Sequence, residues 1–268
     1  MQAFFSVLPL TLGSLALLFL VVWALSVARR DASVVDVLWG LAFGFVALVA
    51  YGACESPTSR ARLVLGLTVL WGGRLALYLA WRNAGQGEDF RYAAMRRRHG
   101  ARFAFVSLYS VFGLQAALCW VISLPVQAAI VSSSPGSLGA LDALGVVLFA
   151  VGFFFEVGGD LQLARFKANP VNRGKVMDRG LWAFTRHPNY FGDATVWWGL
   201  FALALSTPVG IFTLPAPLLM TLLLLRVSGV PLLERSLLKT RPDYKEYMER
   251  TSAFFPRPPR ARAAKRGA

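Results

Sequence analysis

The chain has 268 residues, 56% of them hydrophobic and only 16% charged. Its apolar runs are longer than ordinary buried helices, which excludes a single soluble core and points to an integral membrane protein. The net charge of +14 suits an anionic partner. The Lys and Arg residues fall in alternate loops rather than on one face, however, and this pattern argues against a nucleic-acid surface.

At about 20 residues per crossing, the sequence predicts an all-α polytopic bundle of seven transmembrane helices, roughly over 3–27, 37–54, 63–82, 104–130, 138–160, 190–206 and 210–232. The first segment has neither an early basic region nor a small-residue cleavage site, so it reads as a retained helix and not a signal peptide. Arg29 and Arg30 follow it. Asp36 then opens span two, and Arg74 and Tyr78 lie in span three. The loop 83–103 carries Gly85-Gln-Gly-Glu-Asp-Phe-Arg-Tyr92 followed by Arg96, Arg97, Arg98 and Arg102. Span five ends in Glu156, Gly158, Gly159 and Asp160, just before Arg165 and Lys167; at a spacing of four, the two carboxylates share a helical face. Arg226 lies in the last apolar run with Glu234 eight residues on, on the same face if Pro231 leaves the helix unbroken.

Basic residues crowd the loops 83–103 and 165–189 and the tail 235–268, whereas 132–137 and 206–210 carry no charge. By the positive-inside rule the N-terminus lies outside and the C-terminus in the cytoplasm. Residues 1–255 are expected to form one membrane-embedded catalytic domain, and 256–268 a basic disordered tail. Cys54 and Cys119 lack paired spacing, and with only His99 and His187 no metal site is expected.

The densest chemistry is Gly180-Leu-Trp-Ala-Phe-Thr-Arg-His-Pro-Asn-Tyr-Phe-Gly-Asp193, which places Arg186, His187, Asn189, Tyr190 and Asp193 at the start of an apolar segment. The group suits a polar, charged ligand. A plain helix start, with Asn189 as N-cap and Arg186 at headgroup level, accounts for fewer of these residues. The loop arginines fit a polyphosphate by bidentate hydrogen bonds and equally serve as topology signals and headgroup contacts. The chain has no Gly-x-Gly-x-x-Gly and no P-loop, so a nucleotide would bind between helices.

This motif, followed by Glu234 and Pro242-Asp-Tyr-Lys-Glu-Tyr247, resembles the bacterial membrane proteins grouped with the steroid 5α-reductase family, as do Glu88-Asp-Phe-Arg-Tyr92 and Val35-Asp-Val-Leu-Trp39. Isoprenylcysteine and phospholipid methyltransferases carry a similar Arg-His-Pro-x-Tyr core. The reductase resemblance implies a seven-helix enzyme of the bacterial inner membrane. Such an enzyme uses NADPH to reduce a carbon–carbon double bond conjugated to a ketone in a steroid-like or other apolar lipid.

The resemblance places Asn189 and Asp193 at the nicotinamide end, Glu156 and Asp160 near the cofactor, Arg74 and Arg226 as cofactor-side arginines and Lys167 near the phosphates; Arg186, His187, Tyr190 and Glu234 extend that site. The animal enzymes' early Glu-Leu-Pro segment is missing, and Trp71 stands where their tyrosine falls. For the proton donor this leaves Asp36 with Tyr78 or Tyr92. The alternatives are an S-adenosylmethionine-dependent methyltransferase, with Arg186, His187 and Glu234 on that cofactor, and a non-enzymatic membrane scaffold.

Overall fold

A computed structural model describes residues 1–227 and 229–260, Leu232 by its backbone only. The end of the expected tail, 261–268, lies outside the described residues. The described residues are helical and form no strand. Among the described residues six helical segments are long and apolar enough to cross a membrane: Gln2–Arg29, Val34–Gly52, Ser59–Asn83, Phe90–Ile122, Ala140–Ala168 and Gly210–Val227. The chain is therefore an integral, multi-pass membrane protein. Its exposed apolar side chains, such as Leu77 and Phe154, would be costly in water but are at home against lipid tails. The expected span over 190–206 does form a helix, Pro188–Leu205. It is not among the six, because Asn189, Tyr190 and Asp193 make its first turns polar.

The elements run in order α1 (Gln2–Arg29), α2 (Val34–Gly52), α3 (Ser59–Asn83), α4 (Phe90–His99), α5 (Phe103–Ser107), α6 (Leu114–Ile122), α7 (Leu124–Val131), α8 (Ala140–Ala168), α9 (Leu181–Phe184), α10 (Pro188–Leu205), α11 (Pro215–Leu222), α12 (Val230–Thr240) and α13 (Tyr244–Arg250). A π-helical stretch, Leu108–Gly113, joins α5 to α6, and a second, Leu223–Val227, extends α11. By their contacts, Met1–Ala143 with Leu200–Ala216 form one unit, and Leu144–Gly199 with the chain from Pro217 onward form another.

In the first unit α2 and α3 cross at glycines. A Cβ at Gly40 would sit 2.5 Å from the Gly72 carbonyl oxygen, so this approach tolerates no side chain. Helix α1 runs antiparallel to the α5–α7 stretch: the Trp23 indole donates to the Ala104 carbonyl (3.0 Å) and the Trp120 indole to Thr11 Oγ1 (3.2 Å). Thr11 in turn donates to Gln127 Oε1 (2.7 Å), and Gln127 Nε2 to Ser123 Oγ (2.9 Å), so these buried groups are mutually satisfied. The expected continuous span 104–130 breaks at Ser123, where Pro125 opens α7. The Arg60 guanidinium is fully buried. It donates to Asp142 Oδ1 (2.6 Å) and Oδ2 (2.9 Å) and to the carbonyls of Pro135 (2.8 Å) and Ser137 (2.9 Å), closing the 132–139 loop.

In the second unit α8 and α10 cross along a line of small residues. A Cβ at Gly152 would sit 2.5 Å from the Val196 amide nitrogen, and one at Gly199 would sit 2.7 Å from that of Phe149. Gly159 faces Pro188 and the Asn189 amide in the same way. This close approach brings the polar end of α8 against the polar start of α10. Beyond Val227 the helix does not continue into Glu234. A bend at Gly229 precedes α12, with Pro231 in its first turn, so Arg226 and Glu234 lie on different helices. That corrects the shared face expected from their spacing.

Candidate functional site

Glu156 and Asp160, one turn apart on α8, are both buried, at 3% and 5% exposure. Buried carboxylates require hydrogen-bonding partners. Asn189 Nδ2 donates to Asp160 Oδ1 (3.0 Å), and Asn189 Oδ1 accepts from the Tyr190 amide (3.1 Å). Asn189 therefore sits inside α10 and not at its N-cap, with its carboxamide oriented by Asp160. Asp193 follows one turn later on the same helix.

The preceding residues form a second cluster. Glu234 Oε1 accepts from Arg186 Nε (2.8 Å) and pairs with His187 Nε2 (3.0 Å), while the Tyr244 hydroxyl lies at 3.5 Å. Arg186 also donates to the carbonyls of Met248 (3.1 Å) and Thr251 (2.6 Å), and its amide donates to the Ser252 carbonyl (2.9 Å). Thr185 Oγ1 donates to the Phe254 carbonyl (2.8 Å), and the Tyr247 hydroxyl to that of Trp182. The Arg-His pair thus anchors the C-terminal segment to the start of α10.

The Glu234 carboxyl is partly buried, which by itself would raise its pKa, but hydrogen bonds from His187 and Arg186 bring it down to about 2. Burial lowers the pKa of His187, although Glu234 pulls it upward. At neutral pH the imidazole is therefore neutral and the carboxylate ionised, so Nε2 carries the proton. His187 Nδ1 is buried without a hydrogen-bond partner among the described residues. Burial raises the pKa of Tyr244 and of Tyr247, keeping both phenols protonated.

Beside this cluster lies a cavity of about 420 Å³, bounded by the end of α8, the 169–177 loop, α12 and α13. Trp182, Tyr244 and Tyr247 supply aromatic walls, and Lys167, Arg173, Lys175, Arg186 and Arg241 supply cations. Among the described residues no Asp or Glu lines it. Gly174, at φ 86°, makes the turn between Arg173 and Lys175 that a residue with a side chain adopts only under strain. A Cβ at Gly174 would lie 3.6 Å from Arg241 Nη1, so Arg241 is held against the turn carrying the other two cations. Like charges gathered in this way repel unless an anion joins them.

Residues 22–251 match the family described as protein of unknown function (DUF1295). The chain belongs to that family. An uncharacterized protein of Schizosaccharomyces pombe is 23% identical over 268 residues, covering 88% of this chain and 76% of its own. The probable O-methyltransferase ustE of Ustilaginoidea virens is 42% identical over 62 residues, 23% of this chain and 22% of its own. No solved structure matches the chain.

In this DUF1295 chain, Lys167 and Arg186 are the two expected cofactor residues that line the cavity, while His187, Asn189, Tyr190, Asp193, Glu156, Asp160 and Glu234 belong to the clusters at the α8–α10 crossing and α12. Arg226 is exposed on the π-helical extension of α11 and is not a lining residue. Arg74 belongs to the other unit, with its guanidinium 5.4 Å from the centre of the Tyr78 ring, over which Arg82 also lies at 6.0 Å. Also in that unit, the Tyr92 hydroxyl donates to Asp36 Oδ1 (2.8 Å) and Arg91 to Asp36 Oδ2 (2.8 Å). Asp36 and Tyr92 are thus brought together, and Tyr78 sits in the arginine cluster. Sequence reading missed Arg173, Lys175, Arg241 and Tyr244 as cavity residues. The sequence signals were the basic 165–189 loop and the glycine between two of its cations.

Proposed function

We propose that the protein is a membrane reductase that uses NADPH to reduce a carbon–carbon double bond conjugated to a ketone in a steroid-like or other apolar lipid, with its N-terminus outside and its C-terminus in the cytoplasm. The observation that carries this reading is the convergence of Arg173, Lys175 and Arg241 on a cavity that has no acidic lining residue among the described residues. That donor set fits the phosphates of a phosphorylated dinucleotide. S-adenosylmethionine offers this cavity one carboxylate beside a sulfonium and an ammonium group, a poorer match to several cations than the phosphates of a dinucleotide.

NADPH, when bound, supplies a hydride for the β-carbon. The chain's part is to hold the phosphates with Lys167, Arg173, Lys175 and Arg241, and to orient the carboxamide end through Asn189, itself fixed by Asp160. Hydride addition builds negative charge on the ketone oxygen, which needs a hydrogen-bond donor. The candidate donors in this reading are Asp36 and Tyr92, which are hydrogen-bonded to each other within the first unit. Arg186, His187 and Glu234 position the wall of the cavity.

A second reading, methyl transfer from S-adenosylmethionine, draws on the 62-residue similarity to the probable O-methyltransferase ustE. NADPH binding to the purified wild type and to a Lys167→Ala/Lys175→Ala/Arg241→Ala variant tests the first reading. The variant should bind at least about 100-fold more weakly, since each charged hydrogen bond is worth roughly 1.5–3 kcal/mol. Equal binding by the two proteins would refute it.

A further inference from the structure

The first unit ends in a cluster of arginines that the proposed reaction does not use. Arg29, Arg30, Arg82, Arg97, Arg98 and Arg102 are all exposed. Their placement follows from helix register. Trp120 meets Thr11, and Ala104 meets Trp23. With α1 antiparallel to this stretch, the C-terminus of α1 reaches the level of α4. Arg82, at the end of α3, is close enough to Asp89 to help lower its pKa.

The acids at this end are already occupied. Glu88 accepts twice from Arg96 (3.0 and 2.7 Å) and once from the Ala32 amide (2.9 Å). Asp89 accepts from Arg91 Nε (2.8 Å), and Asp36 from Arg91 and Tyr92. Four carboxylates, Asp31 included, face eight arginines here, and Arg91 and Arg96 take up three of them. The six exposed arginines therefore keep a surplus of positive charge.

Two further observations give this charge a direction. Arg30 caps α1 in the left-handed conformation (φ 54°, ψ 36°), a position where glycine is usual. The same end also exposes Trp81 (65%), a residue type of the membrane–water boundary, together with the apolar Phe90 (77%) and Phe105 (69%). A soluble polyanion would leave those rings in water, whereas a lipid headgroup layer covers both the rings and the arginines.

We propose that this surface, formed by the α1 C-terminus, the α3 C-terminus and α4, binds anionic phospholipid headgroups selectively. A headgroup phosphate would take the guanidinium hydrogen bonds while its acyl chains lie along the exposed Trp81 and Phe105.

The test uses the full-length protein in detergent, with phosphatidylglycerol and phosphatidylcholine of the same acyl chains as probes, reading lipid retention by native mass spectrometry. Wild-type protein should retain phosphatidylglycerol in clear preference. An Arg97→Ala/Arg98→Ala/Arg102→Ala variant should lose at least about tenfold of that preference, with an unchanged melting temperature in phosphatidylcholine, whereas Arg97→Lys/Arg98→Lys/Arg102→Lys should keep most of it. If the alanine variant fails to fold, raising sodium chloride from roughly 0.05 to 0.5 M on the wild type replaces it, and the preference should fall. Equal retention of the two lipids, an unchanged preference in the alanine variant or at high salt, or competition by glycerol 3-phosphate at the same concentration would overturn the proposal.

Discussion

Glu234 gathers Arg186, His187 and Tyr244 around one carboxylate oxygen, so Glu234→Gln removes a shared charge and leaves a buried guanidinium underpaired. We expect a loss of about 3 kcal/mol, read as a fall of several degrees in the detergent melting temperature; a shift under one degree would mean the cluster is not structural. The same groups set a pH dependence. The His187 pKa is lowered from 6.5, so its contribution is present above pH 6.5 and is lost as pH falls below that value, because the unfolded chain takes up a proton that the folded one refuses. The Glu234 pKa is lowered from 4.5 to about 2, so its share is lost between those values. Melting temperature should therefore drop in two steps on acidification, and the upper step should vanish in His187→Gln. An upper step that survives in the variant would assign it elsewhere. The meeting of Arg186, His187 and Glu234 was legible as a motif and its downstream acid. The buried Arg60–Asp142 pair was not, because its partners stand 82 residues apart and each looks like an ordinary loop charge. Nor was the meeting of Arg241 with Arg173 and Lys175, which depends on the conformation of Gly174.

Close helix crossing is the feature that aligns the site. Gly152 faces the α10 backbone directly, while Gly13 on α1 has nothing within 4 Å of the position a Cβ would take. Gly152→Ala should therefore cost about 1–3 kcal/mol through overpacking, whereas Gly13→Ala should be neutral or stabilising by up to about 1 kcal/mol. Melting curves of the two variants side by side decide this, and similar shifts would remove the crossing as the organising contact. Most elements were legible from apolar run length: 3–27 became Gln2–Arg29, and 63–82 became Ser59–Asn83. Breaks inside apolar runs were less so. The interruption at Ser123 and the end of the last span at Val227 depend on local backbone geometry, and the few polar residues and prolines there do not by themselves mark a helix end in an apolar run.

For the whole molecule, the alternation of basic and uncharged loops leads us to expect Gln86 on the cytoplasmic side and Ser134 on the opposite one. Both positions are exposed, so cysteines placed there report directly on orientation. In intact cells an impermeant thiol reagent should label position 134 and spare 86; the reverse would invert the topology. Membership of the membrane class and the all-helical fold could be read from composition and run length. The division of contacts into two units could not, since the chain passes between them within α8, α10 and α11, where nothing in the sequence marks a boundary. The central claim is that the basic cavity of the second unit takes NADPH. Melting of the purified protein with saturating NADPH or S-adenosylmethionine tests it most directly, because a ligand that binds only the folded state at about 100 times its dissociation constant adds roughly 2.7 kcal/mol of stability. The account predicts a rise of several degrees with NADPH and none with S-adenosylmethionine. A rise with S-adenosylmethionine alone would contradict it and favour the methyl-transfer reading.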